Sequence, residues 1–350
     1  MTQTQNYNIL CCDGGGIRGL LTAILLHDLP PSAIANTIVF AGTSTGGIIS
    51  ICLAAGSDTQ QLVDLYSTNC GTIFSPALSP AATREQIHHH VRQFAGPLEA
   101  DALVGLTERH DLPINLFAAK YNPSGLRTAI SNALGAQVST RVHELARKLF
   151  VATFQLDRSG AWTPTSVDNL MPASNDATLL DAALCTSAAP GYFPPHKHPE
   201  LGYCADGGTF ANNPSTFVLA RALQAGVDPK SIRMLSIGTG AAVNAIPADY
   251  FDAVPPELWG LLQWIHPLQA PPSVGHTPLL ELMAGSGSIL SDEQAASILG
   301  TRYIRAQIPL TRPITLDSCA EVPAMTQLAN DYLAGAEWAN VKKWVAENFV

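Results

Sequence analysis

Short apolar runs alternate with amphipathic stretches along this chain, the pattern of strands and helices taken in turn. Residues 7–12 (Tyr-Asn-Ile-Leu-Cys-Cys) predict a first strand, residues 13–19 a tight glycine turn and residues 20–26 an apolar helix. Ile38, Val39 and Phe40 predict a second strand, and Ile48, Ile49, Ile51 and Leu53 a second apolar helix. Further helices are expected over 58–70, 84–94, 125–134, 179–186 and 215–223, and strands over 149–156, 203–206 and 303–308. The Ser-, Thr-, Pro- and Asn-rich stretch 157–175 reads as loop, and 96–113 as a connection. Residues 325–349 read as one closing amphipathic helix, with Lys342 and Lys343 near its end as the helix dipole prefers. No internal repeat or low-complexity linker interrupts the alternation, so the chain reads as one continuous α/β domain.

Composition narrows the class of partner. With 350 residues, 47% of them hydrophobic and 13% charged, the chain can bury a sizeable core and is not a disordered one. Its formal net charge of −9 argues against nucleic acid and against simple adhesion to anionic lipid. The N-terminus lacks the layout of a signal peptide, and no apolar run reaches the length of a spanning helix. Seven cysteines show no framework spacing, so a reducing, cytoplasmic setting is expected, with membrane contact at most peripheral.

The chemistry gathers around glycines. Gly42-Thr43-Ser44-Thr45-Gly46 lies between a strand and a helix, the pattern that projects a serine Oγ from a sharp turn. Asp13-Gly14-Gly15-Gly16-Ile17-Arg18-Gly19 can turn several N–H groups toward one point, as an oxyanion hole requires. Arg18 either braces that loop or attracts an anionic head group, or is a surface residue of the first helical turn. Gly14, Gly16 and Gly19 also fit G-x-G-x-x-G, the dinucleotide fingerprint. That alternative needs an acidic residue closing the next strand, which ends in Ala41-Gly42-Thr43-Ser44 instead. Ser44 needs a base. Among ten histidines, His196 and His198 in a Pro-rich loop are the best triad candidates, while His88, His89 and His90 read as a solvated helix face. Asp206, delivered by a strand into Asp206-Gly207-Gly208, is the carboxylate candidate.

Taken together, the stretches 13–19, 42–46, Thr186-Ser187-Ala188-Ala189-Pro190-Gly191-Tyr192-Phe193-Pro194-Pro195, and Asp206-Gly207-Gly208 with Asn212-Asn213-Pro214 resemble the patatin-like phospholipases. The resemblance is strong over the first two-thirds of the chain and looser beyond, where Leu235-Ser236-Ile237-Gly238-Thr239-Gly240 still looks like the family's following strand. It implies an α/β three-layer sandwich with a central, mostly parallel sheet flanked by helices, residues 7–220 forming the catalytic part and 221–350 completing the same fold. It further implies a Ser-Asp dyad of Ser44 and Asp206, an oxyanion hole from the amides of Gly14, Gly15 and Gly16, and an acyl-lipid or phospholipid substrate. It implies no metal and no organic cofactor. An acyltransferase or soluble esterase on the same scaffold is the enzymatic alternative, and a nucleotide-binding regulatory module the non-enzymatic one.

Beyond residue 240 the pattern says less. Leu258, Trp259, Leu261, Leu262, Trp264 and Ile265 form an apolar cluster that reads as a core helix in preference to an interfacial one. The Pro-rich run 267–278 reads as a lid hinge or a loop.

Overall fold

A computed structural model describes residues 6–76, 80–94, 96–108, 118–158, 160–171, 177–242, 245–267, 271, 274 and 277–350. The strands are β1 (Tyr7–Cys12), β2 (Val39–Thr43), β3 (Lys148–Arg158), β4 (Ala161–Asp168), β5 (His196–His198), β6 (Gly202–Asp206), β7 (Ile232–Ile237), β8 (Ala241–Ala242), β9 (Tyr303–Ala306) and β10 (Pro309–Leu310). The helices are α1 (Gly19–Asp28), α2 (Pro31–Ala35), α3 (Thr45–Ala54), α4 (Thr59–Ile73), α5 (Pro80–Phe94), α6 (Pro97–Glu108), α7 (Pro123–Leu134) and α8 (Leu179–Thr186). They continue with α9 (Gly208–Ala211), α10 (Ser215–Gln224), α11 (Ala248–Ala253), α12 (Leu261–Ile265), α13 (Pro278–Leu299), α14 (Val322–Leu333) and α15 (Ala336–Asn348).

Strands β9, β7, β1, β2 and β3 run parallel, in that order. Strand side chains alternate between two buried faces. Leu10, Cys12, Phe40 and Val151 pack under α1, α3, α4 and α14, while Ile9, Cys11, Ala41 and Phe150 pack on α10. A parallel sheet covered on both faces gives the three-layer sandwich, and explains why its strands are near-continuous apolar runs. Helix α3 is buried on every side, which is why it is apolar on every side. Each large side chain so enclosed stabilises the fold by about 1.5–3 kcal/mol.

The antiparallel strands carry the feature that positions the site. Ala152 of β3 pairs with Thr43 on one side and with Ser166 of β4 on the other. The next residue, Thr153, pairs with Thr165 of β4 and, on its other side, with Asp206 of β6. Strands β2 and β6 therefore lie along the same edge of β3 and run toward each other, their C-terminal ends meeting at Ala152 and Thr153.

Several elements differ from expectation for identifiable reasons. The expected loop 157–175 contains β4, whose Thr-rich Trp162-Thr163-Pro164-Thr165 suits an edge strand even with its proline. The connection 96–113 contains α6, and its last five residues lie outside the described ones. The single closing helix is two, broken at Gly335, which adopts extended backbone ahead of α15. Residues 258–265 are not a core helix: Leu258, Leu261 and Leu262 are exposed, and α12 is one short turn. Most of the run 267–278 lies outside the described residues. Cys70 on α4 and Cys319 form a disulfide, with Cα atoms 5.7 Å apart, a pair that the cysteine spacing does not indicate. The two lie 249 residues apart, so only tertiary contact reveals the pair. Among the described residues no helix is long and apolar enough to cross a membrane.

Candidate active site

Ser44 sits between β2 and α3 with φ 54° and ψ −122°, and is the one non-glycine residue at positive φ among the described residues. Such backbone costs of order 1–3 kcal/mol and persists only where the surroundings impose it. Here the flanking glycines allow it. A Cβ on Gly42 would lie 2.1 Å from the Gly46 carbonyl oxygen, and one on Gly46 2.2 Å from that of Cys12. The Ser44 N–H donates to Thr186 Oγ1 at 2.8 Å, and Thr186 donates in turn to the Ala152 carbonyl at 2.6 Å. Thr186 thus ties the elbow to β3, the strand on which β6 and the second catalytic candidate also pair.

That candidate is Asp206, at the tip of β6. The Ser44 hydroxyl donates to Asp206 Oδ2 at 2.6 Å, and Asp206 Oδ1 accepts the Gly208 N–H at 2.7 Å. Its carboxyl is buried, and burial pushes its pKa up to about 6 against the pull of the Ser44 and Gly208 hydrogen bonds. No histidine is a hydrogen-bond partner of Ser44 or Asp206 among the described residues. His198 is buried, its Nδ1 accepting the N–H groups of Glu200 and Leu201. His196 pairs with Asp181 at 3.5 Å. Both belong to β5, beside the start of β6 rather than the tip that holds Asp206. His89 and His90 are exposed on α5 and bond within it.

The glycine loop borders the serine: a Cβ on Gly14 would stand 3.3 Å from that of Ser44. Gly14 itself departs from its expected role. Its N–H donates to the Asn212 carbonyl at 2.9 Å, and its own carbonyl accepts Thr239 Oγ1 at 2.7 Å. It anchors the loop rather than offering a donor. The Gly15 and Gly16 N–H groups have no hydrogen-bond partner among the described residues, which leaves those two of the expected three. Ile17 N–H donates to the Leu316 carbonyl at 2.8 Å, fixing the far side of the turn. Ahead of the loop, Asp13 is gripped by Arg305, whose Nη2 and Nη1 donate to its two oxygens at 2.6 and 3.2 Å. Burial raises the Asp13 pKa, and Arg305 opposes that rise. Arg18 donates from Nε to the Gly15 carbonyl at 3.4 Å and lines the cavity.

The dyad opens on a cavity of about 1100 Å³. One wall is apolar, built by Ile48 of α3, Leu65 and Ile73 of α4, Leu126 and Ile130 of α7, and Phe193. Thr186, Asn212, Thr239 and Arg305 had no assigned role at the level of sequence. The first two lie inside the motifs that carry the resemblance. Thr239 follows a strand whose end already looked familiar. Arg305 left one trace, a lone charge inside an otherwise uncharged strand.

A strained serine on a strand–helix elbow, hydrogen-bonded to a buried carboxylate beside a loop with free amides, is an arrangement with the chemistry to supply a nucleophile, a base and an anion-stabilising turn. The family model for patatin-like phospholipase matches residues 10–219, more than half of the chain. The chain belongs to the patatin-like phospholipase family. Patatin-like protein 1 of Arabidopsis thaliana is 26% identical over 312 residues, covering 78% of this chain and 66% of that protein. The cGAMP-activated phospholipase of Escherichia coli (strain TW11681) is 30% identical over 251 residues, covering 66% of this chain and 61% of that one. The chain thus spans about two-thirds of the length of these relatives. Among solved structures, VipD from Legionella pneumophila aligns over 94% of this chain and 67% of its own, at 12% identity and a TM-score of 0.40.

Proposed function

We propose that the protein is a serine lipid acyl hydrolase of the phospholipase A type, cleaving fatty acyl esters of glycerophospholipids through Ser44 and Asp206. The observation that carries this reading is the 2.6 Å hydrogen bond from the Ser44 hydroxyl to Asp206 Oδ2, at the apolar cavity. In the first half-reaction the Ser44 proton passes to Asp206 as Oγ attacks the ester carbonyl. The amides of Gly15 and Gly16 hold the oxyanion, and the positive end of α3 lies behind the attacking oxygen. Asp206 then gives the proton to the departing lysophospholipid oxygen, leaving acyl-Ser44. In the second half, water loses a proton to Asp206 and attacks the acyl group. Free fatty acid leaves, and the proton returns to Ser44.

The test is product analysis. Phospholipid vesicles incubated with the protein are expected to yield lysophospholipid and free fatty acid by mass spectrometry. Ser44→Ala and Asp206→Asn are expected to abolish release while circular dichroism stays unchanged. Full activity of well-folded Ser44→Ala protein overturns the reading. Acyl chains recovered on an added alcohol rather than freed would favour acyl transfer on the same dyad.

A further inference from the structure

The amphipathic character of α13 is inverted. Its polar side chains face the protein: Asn212 Nδ2 donates to Ser288 Oγ at 3.0 Å, the Thr216 N–H donates to Ser291 Oγ at 3.2 Å, and the Tyr303 hydroxyl donates to Asp292 at 2.7 Å. Its apolar side chains face outward. Leu282 and Met283, with Ile289 and Leu290 seven residues on, share one stripe and are 50–62% exposed. Helix α12 packs against α13 and extends the same surface with Leu261 and Leu262, preceded by Leu258. In the same segment Trp259 meets Tyr250 and Trp264 edge-on and Phe251 at a tilt, an aromatic cluster adjoining the exposed leucines in the chain. A soluble surface of this kind marks an interaction site rather than scattered apolar residues.

Two observations choose the occupant. The surface is continuous with the mouth of the catalytic cavity, since Met283 and Ile289 belong both to the cavity wall and to the outward stripe. Its charge is one-sided: from residue 234 to residue 301 the sequence holds no Lys or Arg, while Asp249, Asp252, Glu257, Glu281, Asp292 and Glu293 are acidic. Attachment to anionic headgroups through a basic patch finds no lysine or arginine on α12 or α13 themselves, the arginines nearby being those of the cavity lining, Arg18, Arg305 and Arg312. We infer that α12 and the outward stripe of α13 form a docking face for an electrically neutral, zwitterionic phospholipid surface, holding the cavity mouth against the layer from which substrate is drawn. Contact is by burial of apolar side chains at the headgroup boundary, with Trp259 and Trp264 at the depth tryptophan prefers. The inference rests on the reading of the cavity as a lipid-acyl site and adds which surface meets the lipid and of what charge.

The experiment is vesicle flotation with full-length protein carrying Ser44→Ala, so that binding is read without catalysis. Co-flotation with phosphatidylcholine vesicles is expected, undiminished at high salt and no stronger when anionic lipid is added. Leu261→Glu/Leu282→Glu/Leu290→Glu protein is expected to lose partitioning by about tenfold or more. In an otherwise wild-type background the same triple variant is expected to keep hydrolysis of a soluble short-chain ester, because none of the three residues lines the cavity. Leu282→Ser/Leu290→Ser, a milder pair, is expected to give an intermediate loss with an unchanged unfolding midpoint. Failure of the parent protein to float, equal flotation of the triple variant, or binding that requires anionic lipid and vanishes with salt overturns the inference. So does a dimer in light scattering that the same substitutions dissolve, since a second copy then covers the face. Flotation without any ester hydrolysis would overturn the proposed function alone.

Discussion

Ser44 and Asp206 are joined by a 2.6 Å hydrogen bond across the point where β2 and β6 meet head to head along β3. Thr43, which precedes Ser44, and Asp206 stand opposite Ala152 and Thr153, consecutive residues of one strand, so two residues 162 positions apart in sequence are brought together by the sheet and not by a loop. Rigid placement of this kind holds reacting groups in a productive geometry without reorganisation at the moment of reaction. The closeness also demands glycine at position 207, where a Cβ would come within 2.4 Å of the Ala152 carbonyl oxygen.

The first prediction concerns pH. Burial pushes Asp206 up to about 6, and only its ionised form can take the Ser44 proton. On a soluble ester, kcat/KM is expected to be flat above pH 7 and to fall about tenfold per unit below pH 6. Asp206→Asn is expected to lower kcat by about 10²–10⁴-fold. A pH–rate profile whose acidic limb bends near pH 4 would show that Asp206 is not the group being titrated.

The same carboxylate weighs on stability. Its folded pKa of about 6 lies above the value near 3.9 of an unfolded chain. Below about pH 4 both states hold the proton, and wild type loses nothing. Between about pH 4 and 6 the unfolded state releases it first, so stability falls as pH rises, by up to about 3 kcal/mol once pH exceeds 6. Asp206→Asn has no proton to release. Its melting temperature is expected to exceed that of wild type at pH 8, with the gap closing toward pH 4. A wild-type protein that gains stability over Asp206→Asn as pH rises from 4 to 8 would contradict this.

The parts legible in the sequence were those with local causes. β1 and α8 fall at their expected limits because apolar runs bounded by glycine or a Thr178 cap define them. The turns that hold Ser44 and Asp206 are legible because each is a strand, a turn and a helix in a row. What was hidden depends on partners far away in the chain. The Gly14 amide looked available until Asn212 was seen to occupy it, and no reading of residues 13–19 alone can reveal that. Cys70 and Cys319 carry no spacing signal. The cluster at Leu258–Ile265 looked like core because apolar helices usually are, and only its exposed position corrects that reading.

Arg305 is expected to be a structural support of the glycine loop rather than a group that touches substrate first. It makes two hydrogen bonds to Asp13, which is buried, and a third, of 2.7 Å, to Ser236. Arg305→Leu strands the Asp13 carboxylate in the interior and is expected to cost about 3–5 kcal/mol in urea unfolding. Asp13→Asn in the Arg305→Leu background removes that stranded charge and is expected to recover part of the loss. If the double substitution is no better than the single one, the Asp13 charge is not the source of the cost.

Acyl-chain length is expected to be read by the apolar wall between α3, α4 and α7. Ile130 belongs to that wall, buried on α7, with Leu126 one turn before it and Leu65 on the neighbouring α4. Ile130→Trp fills the end of the space with an indole. Each methylene so excluded forfeits about 0.8 kcal/mol of burial, so loss of room for two costs about 1.6 kcal/mol, or about fifteenfold in kcat/KM. That penalty falls on long chains only, because a short acyl group never reaches the indole. Hydrolysis of a series of phosphatidylcholines of increasing chain length is the measurement. The profile of Ile130→Trp is expected to shift toward shorter chains with its short-chain rate intact. A uniform fall at every length would mean that the substitution disturbs the dyad instead, and that the chain lies elsewhere in the cavity.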